Sequence, residues 1–158
     1  MLFCIVKKMR VVLTTVKSAS VTIDNKIVGQ ISKGFLLLVG FTHDDTKEIV
    51  DKMVEKLLPL RVFSDTNGNT NLSLMDVNGE ILSVSQFTLY TNTKKGRRPS
   101  FTDAMLPSDA EKLYDYFNLR IEENFHHIEK GVFGADMLVE SINDGPFTLI
   151  LDSKEMFS

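Results

Sequence analysis

Runs of apolar residues predict four strands before residue 40. They cover residues 10–16, 20–24, 26–31 and 35–39. Asp24 and Asn25 form a turn dipeptide between the second and third runs, so we expect these two strands to make a hairpin. The fourth run is continuously apolar and is bounded by glycines, which is typical of a strand buried on both faces.

Two later segments have the apolar spacing of amphipathic helices. We expect the first to begin after Asp45, which pairs with Glu48 as a capping box, and to end before Pro59. We expect the second to begin after Ser108, with Glu111 in the matching position. The predicted buried faces contain Ile49, Val50, Met53, Val54, Leu57 and Leu58 in the first, and Ala110, Leu113, Tyr114, Phe117, Ile121 and Phe125 in the second.

Further strands are predicted at residues 60–63, 81–89, 137–142 and 147–151. The total is about seven to eight strands and two helices, and the strands come in runs and do not alternate with helices. The pattern favours a mixed α/β fold, with two β-sheet layers and helices packed on one side. It does not favour a doubly wound dinucleotide-binding fold.

The composition is that of one globular domain. The chain has 158 residues, of which 43% are hydrophobic and 25% charged, and its net charge is −3. A chain with this charge has no general affinity for polyanions, so nucleic-acid binding would depend on a local basic patch. We assign the domain to residues 9–158 and interpret residues 1–8 as an upstream or non-native extension.

Few residues are available for a disulfide or a metal site. Cys4 is the only cysteine and there are three histidines, so we expect no intrachain disulfide, no metal and no cofactor. The apolar run at residues 2–6 is too short for a signal peptide or a membrane span. We therefore expect a cytoplasmic protein without membrane contact.

One segment concentrates the candidate chemistry. Small polar side chains end the strand predicted at 81–89, and a basic loop follows it at once. The polar residues are Ser85, Gln86 and Thr88, and the cations are Lys94, Lys95, Arg97 and Arg98. The polar residues form either a solvent-facing strand or a substrate cradle, and the basic loop forms either a solvated hairpin tip or a phosphate-binding patch. A nucleophilic serine or threonine needs a base, and no histidine lies nearby in sequence.

A second candidate is the run Asn143-Asp144-Gly145-Pro146 between two predicted strands. Such a run is ordinarily a hairpin loop. Because Gly-Pro bonds can be cis and a cis proline fixes the backbone, the run could also present rigid carbonyl groups to a ligand. We predict a cis bond between Gly145 and Pro146.

Together these motifs resemble one family, the D-aminoacyl-tRNA deacylases, over nearly all of residues 9–153. The matching motifs are Ser85-Gln86-Phe87-Thr88-Leu89 and Asn143-Asp144-Gly145-Pro146-Phe147-Thr148, supported by Lys95-Gly96-Arg97-Arg98-Pro99-Ser100-Phe101, Phe133-Gly134-Ala135-Asp136-Met137 and Asn71-Leu72-Ser73. The resemblance implies a homodimer that hydrolyses the ester of D-aminoacyl-tRNA, and of glycyl-tRNA in some members. The two active sites lie at the subunit interface.

The resemblance also implies a role for each candidate residue. Ser85, Gln86, Phe87 and Thr88 are the catalytic segment, with a backbone N–H near Phe87 as an oxyanion donor. Thr88 is either a nucleophile or a positioning group, and we favour positioning because no activating base is evident. Gly145 and Pro146 hold the substrate's amino group from the partner subunit and exclude L-residues. Ala110 and Met137 match further pocket positions, and Lys94, Lys95, Arg97 and Arg98 are candidates for tRNA contact. The ribose 2′-hydroxyl assists the reaction.

The chain departs from the family pattern in two places. Thr14-Thr15-Val16 stands where the family usually has Gln-Arg-Val, whose arginine braces the Gly-Pro element, and Phe147 stands where valine is common. Two alternatives therefore remain. One is a dimeric binding protein of tRNA or DNA that keeps the fold but has little or no turnover. The other is a hydrolase of a different nucleotide ester.

Overall fold

A computed structural model describes residues 8–157, so residues 1–7 of the predicted extension lie outside the described part. The strands are β1 (Arg10–Ile23), β2 (Lys26–Ile31), β3 (Gly34–Gly40), β4 (Arg61–Ser64), β5 (Thr70–Ser73), β6 (Glu80–Ser85), β7 (Ile128–Lys130) and β8 (Leu138–Asp152). The helices are α1 (Lys47–Leu57), α2 (Pro107–Asn124) and the short α3 (Ser153–Met156), with a 3₁₀ helix at Phe87–Tyr90. No helix among the described residues is long and apolar enough to cross a membrane.

Six strands form one mixed sheet in the order β2–β1–β3–β6–β7, with β8 paired to the other edge of β1. β1 runs antiparallel to β2, β3 and β8, whereas β3–β6 and β6–β7 are parallel. Gly34 is required where β3 meets β6, because a Cβ at this position would lie 1.8 Å from the Glu80 carbonyl oxygen. β4 and β5 form a separate two-stranded hairpin.

The two long helices cover one face of the sheet. Side chains alternate along β3, so that Phe35 and Leu37 join the core cluster that contains the apolar faces of α1 and α2. Leu36 points to the other face and packs in a second cluster with Val21 and Ile31 of the β1–β2 hairpin. The predicted mixed α/β fold with helices on one side is therefore confirmed.

Both predicted helix caps are wrong. Thr46 caps α1, with its hydroxyl accepting from the Ile49 N–H at 3.4 Å, while Asp45 Oδ2 accepts from the Thr42 N–H at 2.8 Å. α2 begins at Pro107, two residues earlier than expected, because a proline is favourable in the first turn, where the missing N–H costs nothing.

Three strand predictions also need correction. The two strands predicted at 10–16 and 20–24 form the single strand β1. The strand predicted at 81–89 ends at Ser85, since its partner β3 ends at Gly40, and the chain turns into the 3₁₀ helix. The two strands predicted at 137–142 and 147–151 form the single strand β8. It remains paired with β1 through irregularities in register on both sides of Val16.

Candidate active site

A cavity of about 710 Å³, termed the main cavity, opens at the end of β6. Its walls come from β6 and the residues that follow it, from the segment 101–107 with the start of α2, and from the segment 133–139. The lining is mostly apolar with a few polar groups, which is the composition expected of a small-molecule site.

The main cavity brings together five residues singled out in the sequence. Ser85, Gln86 and Phe87 line one wall, and Ala110 and Met137 line others. They meet because the carboxyl end of β6, which lies between β3 and β7, is close to both the start of α2 and the segment before β8. The sequence spacing alone does not reveal this convergence.

Thr88 follows directly on the wall residues but is not itself part of the lining. Its Oγ1 accepts a hydrogen bond of 2.6 Å from Gln86 Nε2. The Gln86 N–H donates to the Val39 carbonyl at 2.8 Å, which fixes this residue to the end of β3. The polar cluster is thus a tight turn with internal hydrogen bonds, and the expectation of an extended strand here is wrong.

The 3₁₀ helix leaves two backbone donors beside the cavity. The N–H groups of Phe87 and Thr88 open this helix and have no acceptor within it. Neither donates to a backbone acceptor in the described part of the chain. Free, fixed N–H groups of this kind can stabilise negative charge on a reacting oxygen.

The cavity also contains residues to which the sequence analysis gave no role in the site. Phe101 and Phe133 were named only within the supporting motifs, and His43 was missed. Phe87 and Phe101 pack edge to face with ring centroids 5.3 Å apart, although they remain 54% and 42% exposed. His43 Nε2 lies 2.6 Å from the Thr102 carbonyl oxygen. The Phe87–Phe101 contact spans 14 positions and the His43–Thr102 contact spans 59, and apolar periodicity along the chain reveals neither.

Gly145 and Pro146 do not line the main cavity of the same chain. Both are exposed, and the bond between them is cis, which confirms that prediction. The buried hydroxyl of Thr15 donates to the Asp144 carbonyl at 2.7 Å and lies 3.5 Å from the Phe147 carbonyl. Thr15 therefore holds the chain on both sides of the Gly-Pro pair, at the position where the family arginine was missing.

The four predicted tRNA-binding cations separate into two groups. Lys94 lines a second cavity, described below, while Lys95, Arg97 and Arg98 are exposed and line neither cavity. They surround Gly96, whose φ of 62° makes the tip of the loop.

A cluster of charged groups lies behind the 3₁₀ helix. Arg10 Nη1 donates to the Leu89 carbonyl at 2.9 Å, and its Nε pairs with Asp152 Oδ2 at 2.9 Å. That hydrogen bond with Asp152 raises the pKa of Arg10. Burial raises the pKa of Asp45 to about 7 and also raises the pKa of Tyr90. Among residues 8–157 no three His, Cys, Asp or Glu side chains form a group that could hold a metal ion.

Comparison with known proteins agrees with this geometry. A sequence model of the family described as D-Tyr-tRNA(Tyr) deacylase matches residues 12–152. The chain belongs to the D-Tyr-tRNA(Tyr) deacylase family. The resemblance seen in the sequence motifs is therefore confirmed.

Relatives named D-aminoacyl-tRNA deacylase are similar over almost their full length. The one from Lactobacillus gasseri is 57% identical over 144 residues, covering 91% of this chain and 99% of the relative. The one from Bacillus cytotoxicus is 54% identical over 146 residues, covering 92% of this chain and 100% of the relative.

Two solved structures share the fold. One, titled c-Myc DNA Unwinding Element Binding Protein, is 39% identical with a TM-score of 0.84, covering 90% of this chain and 97% of that one. The other, titled as a probable eukaryotic D-amino acid tRNA deacylase, has a TM-score of 0.81 at 20% identity, covering 92% of this chain and 99% of that one. At that identity the second likeness concerns the fold alone.

Proposed function

We propose that this protein hydrolyses the ester bond of D-aminoacyl-tRNA, and of glycyl-tRNA where the pocket accepts it, releasing the free amino acid and tRNA. The observation that carries the proposal is the convergence of Ser85, Gln86 and Phe87 with Ala110 and Met137 on one cavity, in a member of the deacylase family. The reaction serves translation in the cytoplasm by removing mischarged amino acids.

The main cavity would hold the aminoacylated terminal adenosine. A water oxygen attacks the ester carbonyl carbon, and the bond from that carbon to the ribose oxygen breaks. The free N–H groups of Phe87 and Thr88 stabilise the negative charge that develops on the carbonyl oxygen. The ribose 2′-hydroxyl takes the place of a side-chain base and assists the proton transfer.

Thr88 acts in this scheme by positioning. Its hydroxyl already accepts from the Gln86 amide, and a nucleophile would need a base to remove its proton. His43 is the histidine in the cavity wall, and its Nε2 is occupied with the Thr102 carbonyl. Gln86 and Thr88 thus hold the turn that presents the two backbone donors.

Selection of D-residues would come from a second copy of the chain. Gly145 and Pro146 are exposed and away from their own chain's cavity, as a pair that reaches into a partner's cavity must be. Their carbonyls would hold the substrate's amino group so that an L side chain strikes the protein.

Strand β8 supports a homodimer with the sites at its interface. β8 pairs only with β1 among the described strands, so its other edge is open. Leu138, Ile142 and Ile150 on this strand are 70%, 59% and 70% exposed. A long, apolar, unpaired edge strand is a surface that proteins normally cover.

The likeness to a DNA-element binding protein supports a second candidate. In that case the chain would bind tRNA or DNA without turnover. The exposed cations Lys94, Lys95, Arg97 and Arg98 serve either function, because phosphate contacts give affinity without defining the reaction.

Turnover distinguishes the two candidates. The assay uses D-tyrosyl-tRNA in large excess over protein and compares ester loss with the spontaneous rate. The variant Ala110→Val tests whether turnover takes place in the main cavity, because valine places two extra methyl groups on the cavity wall. Thermal unfolding shows whether this variant still folds. We expect many turnovers by the wild type and a large loss in the folded variant. Binding of tRNA without ester loss would contradict the proposal and favour the binding protein.

A further inference from the structure

A second cavity, termed the cationic cavity, has a volume of about 500 Å³ and is lined mainly by polar groups. Four cations line it: Lys8, Arg10, Lys94 and Lys154. The other lining residues are Tyr90, Thr91, Asn92, Thr93, Asp103 and Asp152. None of these ten residues lines the main cavity.

The two cavities lie on opposite sides of the same two segments. Along the first segment, Phe87 lines the main cavity and Tyr90 lines the cationic cavity. Along the second, Thr102 and Ala104 line the main cavity while Asp103, between them, lines the cationic cavity. The two cavities are therefore neighbours that share these two segments as a wall.

The cationic cavity carries an excess of positive charge. Its four cations outnumber its two carboxylates, Asp103 and Asp152. Asp152 forms its ion pair with Arg10, at 2.9 Å, and not with one of the lysine ammonium groups. Glu155 lies close enough to act on Arg10, and Asp45 close enough to act on Lys8, but neither carboxylate lines the cavity.

The cations are attached to fixed backbone. The Lys8 carbonyl accepts the Tyr90 hydroxyl hydrogen bond, and the Arg10 guanidinium lies 4.8 Å from the centre of the Tyr90 ring. The Lys154 N–H donates to Asp152 Oδ1 at 2.9 Å, and the Lys94 N–H donates to Asn92 Oδ1 at 2.9 Å. Three segments, at residues 8–10, 92–94 and 152–154, thus hold the four cations around one cavity.

We propose that the cationic cavity binds the phosphodiester groups that precede the terminal adenosine in the single-stranded end of tRNA. This inference rests on the proposed function, since it takes the main cavity as the site of that adenosine. Single-stranded nucleic acid is held by a positively charged groove that follows its backbone. The volume is large for one phosphate and suits a short stretch of chain. The cationic cavity shares Lys94 with the basic loop, but it is not lined by Lys95, Arg97 or Arg98.

The test removes two cations that have no place in the catalytic scheme. The variant is Lys8→Ala with Lys154→Ala. The matched control is Lys26→Ala with Lys112→Ala, because these two lysines are exposed and line neither cavity. Two readouts are used: the Kd of uncharged tRNA at 50 and 200 mM salt, and hydrolysis of a D-tyrosyl ester of adenosine alone.

Each phosphate contact to a single strand contributes about 0.7 to the slope of log affinity against log salt. Removal of two contacts therefore lowers the slope by about 1.4. The factor by which Kd rises between 50 and 200 mM salt should then be about sevenfold smaller in the double variant than in wild type. We expect this change in the double variant, no change in the control, and unchanged hydrolysis of the adenosine ester.

An unchanged salt slope in the double variant, or the same change in the control, would overturn the proposal. Reduced hydrolysis of the adenosine ester would also overturn it, because the substitutions would then act on the main cavity. Failure of the wild type to hydrolyse any ester would refute the proposed function separately. The binding measurement still tests the cationic cavity in that case, since uncharged tRNA has no ester.

Discussion

Replacement of Thr15 by valine removes the brace of the Gly145-Pro146 pair while it keeps the shape of the side chain. The Thr15 hydroxyl is buried at 4% exposure and donates to the Asp144 carbonyl at 2.7 Å. The contact with the Phe147 carbonyl at 3.5 Å is at the limit of a hydrogen bond. The substitution therefore removes one good hydrogen bond and a marginal one.

Loss of one neutral hydrogen bond lowers the free energy of unfolding by about 1 kcal/mol. The loss stays near this value because Asp144 is exposed and its carbonyl can bond to water instead. For a chain of this size, we expect a Tm lower by about 2–4 °C. If the same energy positions the Gly-Pro carbonyls, kcat/KM for the D-ester falls about fivefold.

Thr14→Val is the matched control. Thr14 is the preceding residue of β1, is also buried, and its hydroxyl bonds to the Thr148 hydroxyl at 3.2 Å. This hydrogen bond is comparable in strength but does not touch either residue beside the Gly-Pro pair. We expect a similar loss of Tm and an unchanged preference for D-esters.

The assay measures Tm and the hydrolysis of D- and L-tyrosyl-tRNA for wild type and both variants. Only Thr15→Val should lower the ratio of D- to L-ester hydrolysis. Equal ratios in the two variants would refute the reasoning, since Thr15 would then contribute stability alone.

Three further substitutions test other parts of the structure. In Gly145→Ala the new Cβ would lie 2.9 Å from the Phe147 nitrogen, and the φ of 130° at this residue is strained for alanine. Hydrolysis of the D-ester in the assay above should therefore fall at least tenfold, and wild-type rates would contradict this. Burial raises the pKa of Asp45 to about 7, so this group binds more protons in the folded state than in the unfolded state. The free energy of unfolding therefore falls as pH rises from about 4 to 7, by up to about 1.4 kcal/mol per pH unit. Asp45→Asn should therefore gain Tm over wild type progressively across this range, and parallel Tm curves would refute it. Gly34→Ala should give little folded protein by circular dichroism, because its Cβ would overlap the Glu80 carbonyl, and native expression and Tm would contradict that contact.

The sequence predicted the fold because its signals were local and agreed with one another. The glycine-bounded run at 35–39 became the central strand β3, and the apolar spacing before Pro59 became α1. The errors occurred where a tertiary contact outweighed a local signal. Asp45 has the right spacing for a cap, but its carboxylate is held by the Thr42 N–H and Thr46 caps in its place.

Only the part of the site that is local in sequence could be predicted. Ser85, Gln86 and Phe87 are consecutive and visible as a motif, whereas His43 and Phe101 join them only through contacts across the fold. The resemblance indicated a bracing arginine at position 15, but the hydrogen bond that Thr15 makes instead could not be predicted, since its partner is more than a hundred positions away. Polar contacts over such distances leave no periodic pattern in a single sequence.

The central claim is chiral ester hydrolysis, and a competition between the two enantiomers tests it most directly. D-tyrosyl-tRNA and L-tyrosyl-tRNA, carrying different isotopic labels, are mixed in one tube with a small amount of protein. The account predicts rapid loss of the D-ester over many turnovers while the L-ester decays at its spontaneous rate. Equal loss of both esters would contradict the chiral filter, and loss of neither would contradict the enzyme.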